Sequence, residues 1–387
     1  MREPSTDTPD AAAAGVRRHL APLGALAVAT LGFVYPVALR PASHVGSGPH
    51  SEVWGHLWAH WLMGHGLARG ESPFHASLVN CPDGMPLYPV DPLNAVITTA
   101  LRPIVGLVAA FDLLMIGLLL ATMVAVYLLS LELGASRWAA AGAGIIAGLG
   151  PYVRASFIDG YSEALGLFWG VLVLRSLVRQ LRDPRPARAV AIGLLFAALF
   201  YSDLYTTVAT AACYVAVVSA VALRPPVARR LPWLVAAPAL GLLLALPGAA
   251  ALRGSASPLA APESGGSMED VGAFHHLPPP SQCWQSAGRR AAVDLGALLP
   301  VPRLDDSCTD PLLRAVYPGF VAQLCLVALL FGGGRERRGL FLGALASLAL
   351  SAGIYVTFHG HPVTVADRAL MGPLGLLARV WPPAWGL

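Results

Sequence analysis

The sequence predicts an all-α protein, a polytopic transmembrane helical bundle of about nine spans with interfacial helices in its first long outer loop. Three observations predict it. Of 387 residues, 56% are hydrophobic and only 12% are charged, half the ~25% charged share of ordinary soluble domains. The mean hydropathy is +0.61. The apolar residues also come in unbroken runs, several of which reach the ~20 residues that cross a bilayer. These features exclude a water-soluble enzyme, a disordered chain and a fibrous one. The net charge of +4 is scattered over loops, and every basic residue is Arg. No basic run of the nucleic-acid kind exists, so no nucleic-acid partner is expected.

The elements follow in order. Residues 1–19 form a cytoplasmic segment ending in Arg17, Arg18 and His19. The first span, 20–39, exceeds the ~7–15 apolar residues of a cleaved signal peptide and reads as a signal anchor. Further spans at 111–131, 138–150, 162–178, 190–201, 205–222, 231–251, 312–331 and 340–357 complete a transmembrane domain over 20–357. Three Arg clusters set its orientation: Arg175, Arg179, Arg182, Arg185 and Arg188; then Arg224, Arg229 and Arg230; then Arg335, Arg337 and Arg338. The positive-inside rule puts all three in the cytoplasm. The carboxylates, which were not used to build this topology, then fall mostly outside. The run 93–108, interrupted by Arg102, fits as an interfacial or re-entrant helix on the outer side. The expected location is the bacterial inner membrane, with the N-terminus cytoplasmic and the active face periplasmic. Residues 358–387 form an outer-face segment, and the ending ARVWPPAWGL is what a fragment or shortened member would show.

Two outer loops, 40–110 and 253–311, exceed the ~12–15 residues of a simple connector. The first holds SEVWGHLWAHWLMGHGLARG, where Trp54, Trp58 and Trp61 share one helical side, as in a helix lying at the lipid headgroups. Cys213 and Cys325 fall inside spans as packing residues. Cys81, Cys283 and Cys308 fall in the outer loops, an oxidising setting. The expected disulfide joins Cys283 and Cys308, with Cys81 left free or replacing one of them.

The succession SEVWGHLW, SPFHASLVNCPDGMPL, DPLNAVITTAL, DGYSEALGLFWG, AAVDLGALLPVPRL and YPGFVAQLCLVALL resembles the GT-C-type integral membrane glycosyltransferases. The nearest in kind are the bacterial relatives of protein mannosyltransferases and aminoarabinose transferases, and the resemblance spans residues 20–357. It implies a hexosyltransferase-type enzyme that takes a sugar from a polyprenyl-phosphate donor and passes it to an acceptor on the outer face. It also implies an essential carboxylate in the first outer loop, and Glu52 is the residue that matches.

The residues offer chemistry of the same kind. Displacing a polyprenyl phosphate by a hydroxyl needs a base for the proton and cationic groups for the departing phosphate. Glu52 is the candidate base. Arg154, in the expected outer loop PYVRASFIDGYSE, can bind phosphate bidentately. Asp159 and Glu163 follow it, and Asp203 breaks the apolar run LFYSDLYTT. Glu52, His56 and His60 lie at i, i+4 and i+8, with His50 and His65 nearby. That spacing can hold a divalent metal on His56 and His60, while His50 and His56 equally suit phosphate. Blander alternatives stand beside these. Glu52 can be a first-turn helix residue after a Ser51 cap, Arg154 with Asp159 and Glu163 a structural ion pair, and Asp203 a hairpin marker. A non-catalytic polytopic protein, transporter-like, flippase-like or a scaffold subunit, stays open as the second reading. Neither the sugar, the acceptor nor the oligomeric state is written in these motifs.

Overall fold

The computed structural model describes residues 9–45, 53–79, 83–86, 91–222 and 231–256, and four two-residue strands between 357 and 369. Its helices are α1 (Pro9–Phe33), α2 (Tyr35–Leu39), α3 (Val53–Ala68), α4 (Pro92–Val105), α5 (Leu107–Glu132) and α6 (Arg137–Gly148). They continue as α7 (Pro151–Asp159), a 3-10 turn (Glu163–Leu165), α8 (Leu167–Arg182), α9 (Pro186–Phe200), α10 (Leu204–Ala222) and α11 (Leu231–Ala256). Strands β1 (His75–Ala76) and β2 (Met85–Pro86) form a minimal hairpin inside the first loop.

Helix α5 is the axis of the first half. Almost wholly apolar, it buries Phe111, Leu114, Leu118, Leu119, Met123 and Tyr127 and packs against α1, α3, α4, α6 and α8. Helix α6 approaches it through two glycines one turn apart. A Cβ on Gly144 would stand 2.6 Å from the Met123 carbonyl oxygen, and one on Gly148 would overlap the Met123 side chain. Small residues four apart let helix backbones meet closely where lipid, not water, is the competing solvent. A second core joins α8, α9, α10 and α11 around Val173, Leu177, Ile192, Phe196, Tyr214 and Leu234. Outside it, Val215, Val235, Leu242 and Leu246 are all exposed, an apolar surface suited to lipid contact.

Among the described residues, three stretches are long and apolar enough to cross a membrane: Leu107–Glu132, Glu163–Arg182 and Leu231–Arg253. A fourth arises if α6 and α7, bent by 54°, count as one broken span. The bundle is thus helical and membrane-type, with corrections to the expected spans. The run 20–39 is interrupted at Val34, because Pro36 in α2 has no N–H to continue the α1 ladder. The run 138–150 stops as α6 at Gly148, and Pro151 starts α7 in a new direction. Helix α9 has 15 residues, fewer than the ~20 a perpendicular span requires. The run 93–108 is helical as α4, with Gly106 separating it from α5. The runs 312–331 and 340–356 lie outside the described residues.

The two ends of α5 differ in chemistry. At its C-terminal end Glu132 faces Arg179 and Arg182 at 3.6 Å and Arg175 at 3.9 Å, all from α8. Near its N-terminal end Phe111 packs edge-on against His60, ring centroids 5.2 Å apart. From Phe111 to Glu132 the helix climbs about 31 Å at 1.5 Å per residue. That matches the ~30 Å hydrocarbon thickness of a bilayer. The Arg-rich end and the histidine end therefore stand one membrane thickness apart.

Candidate functional site

Helix α3 is two-sided, as its sequence pattern requires. Trp54 and Trp58 are exposed, while Val53, His56, Leu57 and His60 are buried. Its start is seated by Gly160, which ends α7 in the left-handed region at φ +80°. A Cβ there would lie 2.5 Å from the Val53 Cβ. The contact brings the buried face of α3 beside the 3-10 turn that opens with Glu163.

Three further segments converge on that face. Asp91 precedes α4 at the usual capping position, yet its side chain caps nothing in its own helix. Instead Oδ1 meets His60 Nε2 at 3.0 Å. Its Oδ2 accepts from Asn94 Nδ2 at 3.2 Å and from the Ser162 hydroxyl. Asp91, His60 and Asn94 are all fully buried or nearly so. Burial alone would raise the Asp91 carboxyl; the adjacent His60, by charge and hydrogen bond, and then His56 hold it below its usual value. The other nitrogen of His60, Nδ1, lies 2.9 Å from Thr98 Oγ1. Both ring nitrogens of His60 thus have partners.

His56, one turn before His60, places Nδ1 3.4 Å from Glu163 Oε2 and its ring edge-on to Tyr161. One ligand atom each from His56, Asp91 and Glu163 lies within 4.8 Å of the others. Asp203, between α9 and α10, is 2% exposed. Its carboxylate accepts from the Tyr205 N–H at 2.9 Å and from the Thr206 hydroxyl, capping α10. Burial lifts this carboxyl to about 6, with a further push from the Asp91 charge. The turn is fixed in place by the Leu93 N–H, which donates to the Tyr201 carbonyl at 2.9 Å.

The sequence-nominated residues therefore separate. His56, His60 and Glu163 meet around Asp91, and Asp203 sits close enough to Asp91 to feel its charge. Arg154 and Asp159 belong to helix α7, a correction to the expected loop, and the Arg154 side chain is exposed. His50, Glu52, Cys283 and Cys308 lie outside the described residues. Asp91 is the residue that sequence reasoning missed. Its signal was available in DPLNAV, an Asp before a helix-opening Pro, but a cap accounts for that pattern without any site.

Beside this end, α9, α10 and α11 enclose an apolar groove of about 460 Å³. Phe196, Phe200, Tyr214 and Thr207 line it, with Val215 and Leu242 at its rim. The Thr207 hydroxyl donates to the Asp203 backbone oxygen at 2.7 Å, so the groove reaches the element that holds the Asp203 carboxylate.

The fold and site define a helical, membrane-type protein with a buried histidine–carboxylate cluster at the end remote from its arginines. No family model matches the chain, and no curated protein matches it. Among solved structures it is similar to the archaeal oligosaccharyltransferase AglB from Archaeoglobus fulgidus, in complex with an inhibitory peptide and a dolichol-phosphate. The identity is 15% and the TM-score 0.46, over 86% of this chain and 50% of that one. The chain thus spans about half the length of that protein.

Proposed function

We propose that the protein is a membrane glycosyltransferase that moves a sugar from a polyprenyl-phosphate donor to an acceptor at the non-cytoplasmic face. The observation that carries this reading is one juxtaposition. A buried cluster of His56, Asp91 and Glu163 lies at the end remote from the arginines, and Asp203, which feels the Asp91 charge, is joined through Thr207 to an apolar groove. A prenyl chain needs an apolar lane, and its phosphate-linked sugar needs polar groups at the end of that lane. A groove of this size is within the ~300–1,000 Å³ of small-molecule sites.

The chemistry is a single displacement. The acceptor hydroxyl attacks the anomeric carbon, its proton passes to a carboxylate, and the sugar–phosphate C–O bond breaks to release the polyprenyl phosphate. Glu163 and Asp203 are carboxylates available to take the proton, and a carboxyl raised to about 6 is better matched to neutral pH than an ordinary one. Glu52, nominated by the GT-C resemblance, directly precedes α3 in the sequence and is the third candidate. Arg154, exposed on the helix that leads into Glu163, offers a guanidinium to the departing phosphate.

The test is turnover of a radiolabelled polyprenyl-phosphate hexose by the full chain in proteoliposomes. Glu163→Gln keeps the side-chain volume and removes the charge; its rate should fall roughly 100-fold or more, the scale of general-base loss. A rate within twofold of wild type would remove Glu163 from the reaction. A wild-type chain that consumes no donor would overturn the proposal.

A further inference from the structure

We infer that the Arg-rich end of the bundle binds the phosphate headgroup of one anionic phospholipid, held by Arg175 and Arg179 between α5 and α8, with Glu132 competing for the same guanidiniums. The inference stands on geometry and does not depend on sugar transfer. Arg175, Arg179 and Arg182 recur at i, i+4 and i+7, one face of α8, and that face meets Glu132, the last residue of α5. Arg175 Nε and Arg179 Nε reach the same oxygen, Glu132 Oε2, at 3.9 and 3.6 Å. Both distances exceed the roughly 2.7–3.2 Å of an N–H···O hydrogen bond. The Arg175 side chain is only 25% exposed, and its Nε is buried with no hydrogen-bond partner among the described residues. The next two arginines differ. Arg185 and Arg188 hold Asp183 at 2.9 and 3.0 Å, and Arg188 also donates to the Arg179 carbonyl at 3.1 Å. Pairing is thus tight around Asp183 and loose where one carboxylate stands among three guanidiniums.

A guanidinium N–H withdrawn from water without an acceptor is costly. A phosphate diester offers two unesterified oxygens that share one charge, so it can accept from Arg175 and Arg179 together. Position sets the source of that phosphate. Glu132 ends the stretch of α5 that matches the hydrocarbon thickness, which puts the arginines beside it at headgroup depth. Basic pockets between membrane helices at this depth take acidic lipid headgroups. The start of α9, tied to Arg179 through Arg188, then exposes Val190 and Leu194 one turn apart. Acyl chains can lie on this apolar strip, from which a free phosphate ion would gain nothing.

The experiment is native mass spectrometry of the full chain released from detergent micelles, titrated with phosphatidylglycerol and, separately, with phosphatidylcholine of the same acyl chains. Wild type should retain one phosphatidylglycerol at least about tenfold more tightly than phosphatidylcholine, a comparison that needs no variant to fold. Arg175→Gln and Arg179→Gln should each weaken it about fivefold, the scale of one cation at a membrane surface, and Arg179→Lys should weaken it less. Arg69→Gln, in the first long loop and paired with Glu71, should bind as wild type. Glu132→Gln should bind about fivefold more tightly because the competing charge is gone, whereas a purely structural ion pair gives no gain. The site is overturned if wild type does not prefer the anionic lipid, if either Arg→Gln variant at 175 or 179 binds as wild type, if Arg69→Gln loses binding, or if Glu132→Gln binds no more tightly. Inorganic phosphate at millimolar concentration should leave the bound lipid in place. Displacement would make this a site for a soluble phosphate and refute the lipid assignment.

Discussion

Asp203→Asn isolates the cost of placing a carboxylate in the turn between α9 and α10. Asp203 is 2% exposed and its carboxyl is raised from 3.8 to about 6, chiefly by burial. The raised value means that the folded protein disfavours the ionised form. Below pH ~3.8 the group is protonated in both folded and unfolded chains and contributes no penalty. As pH rises from there to 6 the unfolded chain ionises first, so folding loses stability, and above about 6 the penalty is constant. A shift of about two units corresponds to roughly 3 kcal/mol at 1.36 kcal/mol per unit. Asparagine keeps Oδ1 to accept from the Tyr205 N–H, and its Nδ2 can donate to the Thr206 hydroxyl, which turns from donor to acceptor, so both contacts can persist without the charge. The difference in stability between Asp203→Asn and wild type should therefore shift in favour of the variant by roughly 2–2.5 kcal/mol between pH 4 and 7, then level off. Denaturation in bicelles at pH 4, 5, 6, 7 and 8 reads this directly. A difference that does not move with pH would refute the burial argument, and one that moves the other way would mean the ionised carboxylate is stabilised in the fold.

Other expectations concern the seating of α3 and the support of Asp91. Gly160→Ala should destabilise the protein by about 2–5 kcal/mol, combining ~1–2 for a left-handed non-glycine residue with ~1–3 for overpacking; Val53→Gly in the same chain should restore part of it, as thermal melts would show. His60→Ala leaves a buried carboxylate without its main partner and should cost about 3–5 kcal/mol. His60→Gln, which can still donate to Asp91, should lose distinctly less in the same melts.

Much of the architecture was legible because it is local. Unbroken apolar runs marked α5, α8 and α11, and Trp54 and Trp58 with the i, i+4 pair His56 and His60 marked the two faces of α3. The Arg run at the end of α8 announced one end of the bundle, where it meets Glu132. What stayed hidden was convergence. Nothing near Asp91 in the chain says that its carboxylate turns away from its own helix toward His60, 31 residues earlier, and Ser162, 71 residues later. Helix α7 was hidden for a different reason. Pro151 at its first turn and Gly160 after its last are start and stop signals, but a nine-residue helix between apolar runs reads like a loop. The short α9 was over-read because hydropathy measures apolar content and says little about where a helix ends.

The sidedness of the site tests the account most directly. In a chain whose natural cysteines are replaced by serine, Arg154→Cys marks the helix leading to Glu163 and Arg185→Cys marks the Arg-rich end, where that side chain is 65% exposed. A membrane-impermeant maleimide applied to intact cells should label Arg154→Cys at once and Arg185→Cys only after permeabilisation. Labelling of both from the same side would contradict the separation of the cluster from the arginines by one bilayer, and the sugar-transfer proposal would fall with it.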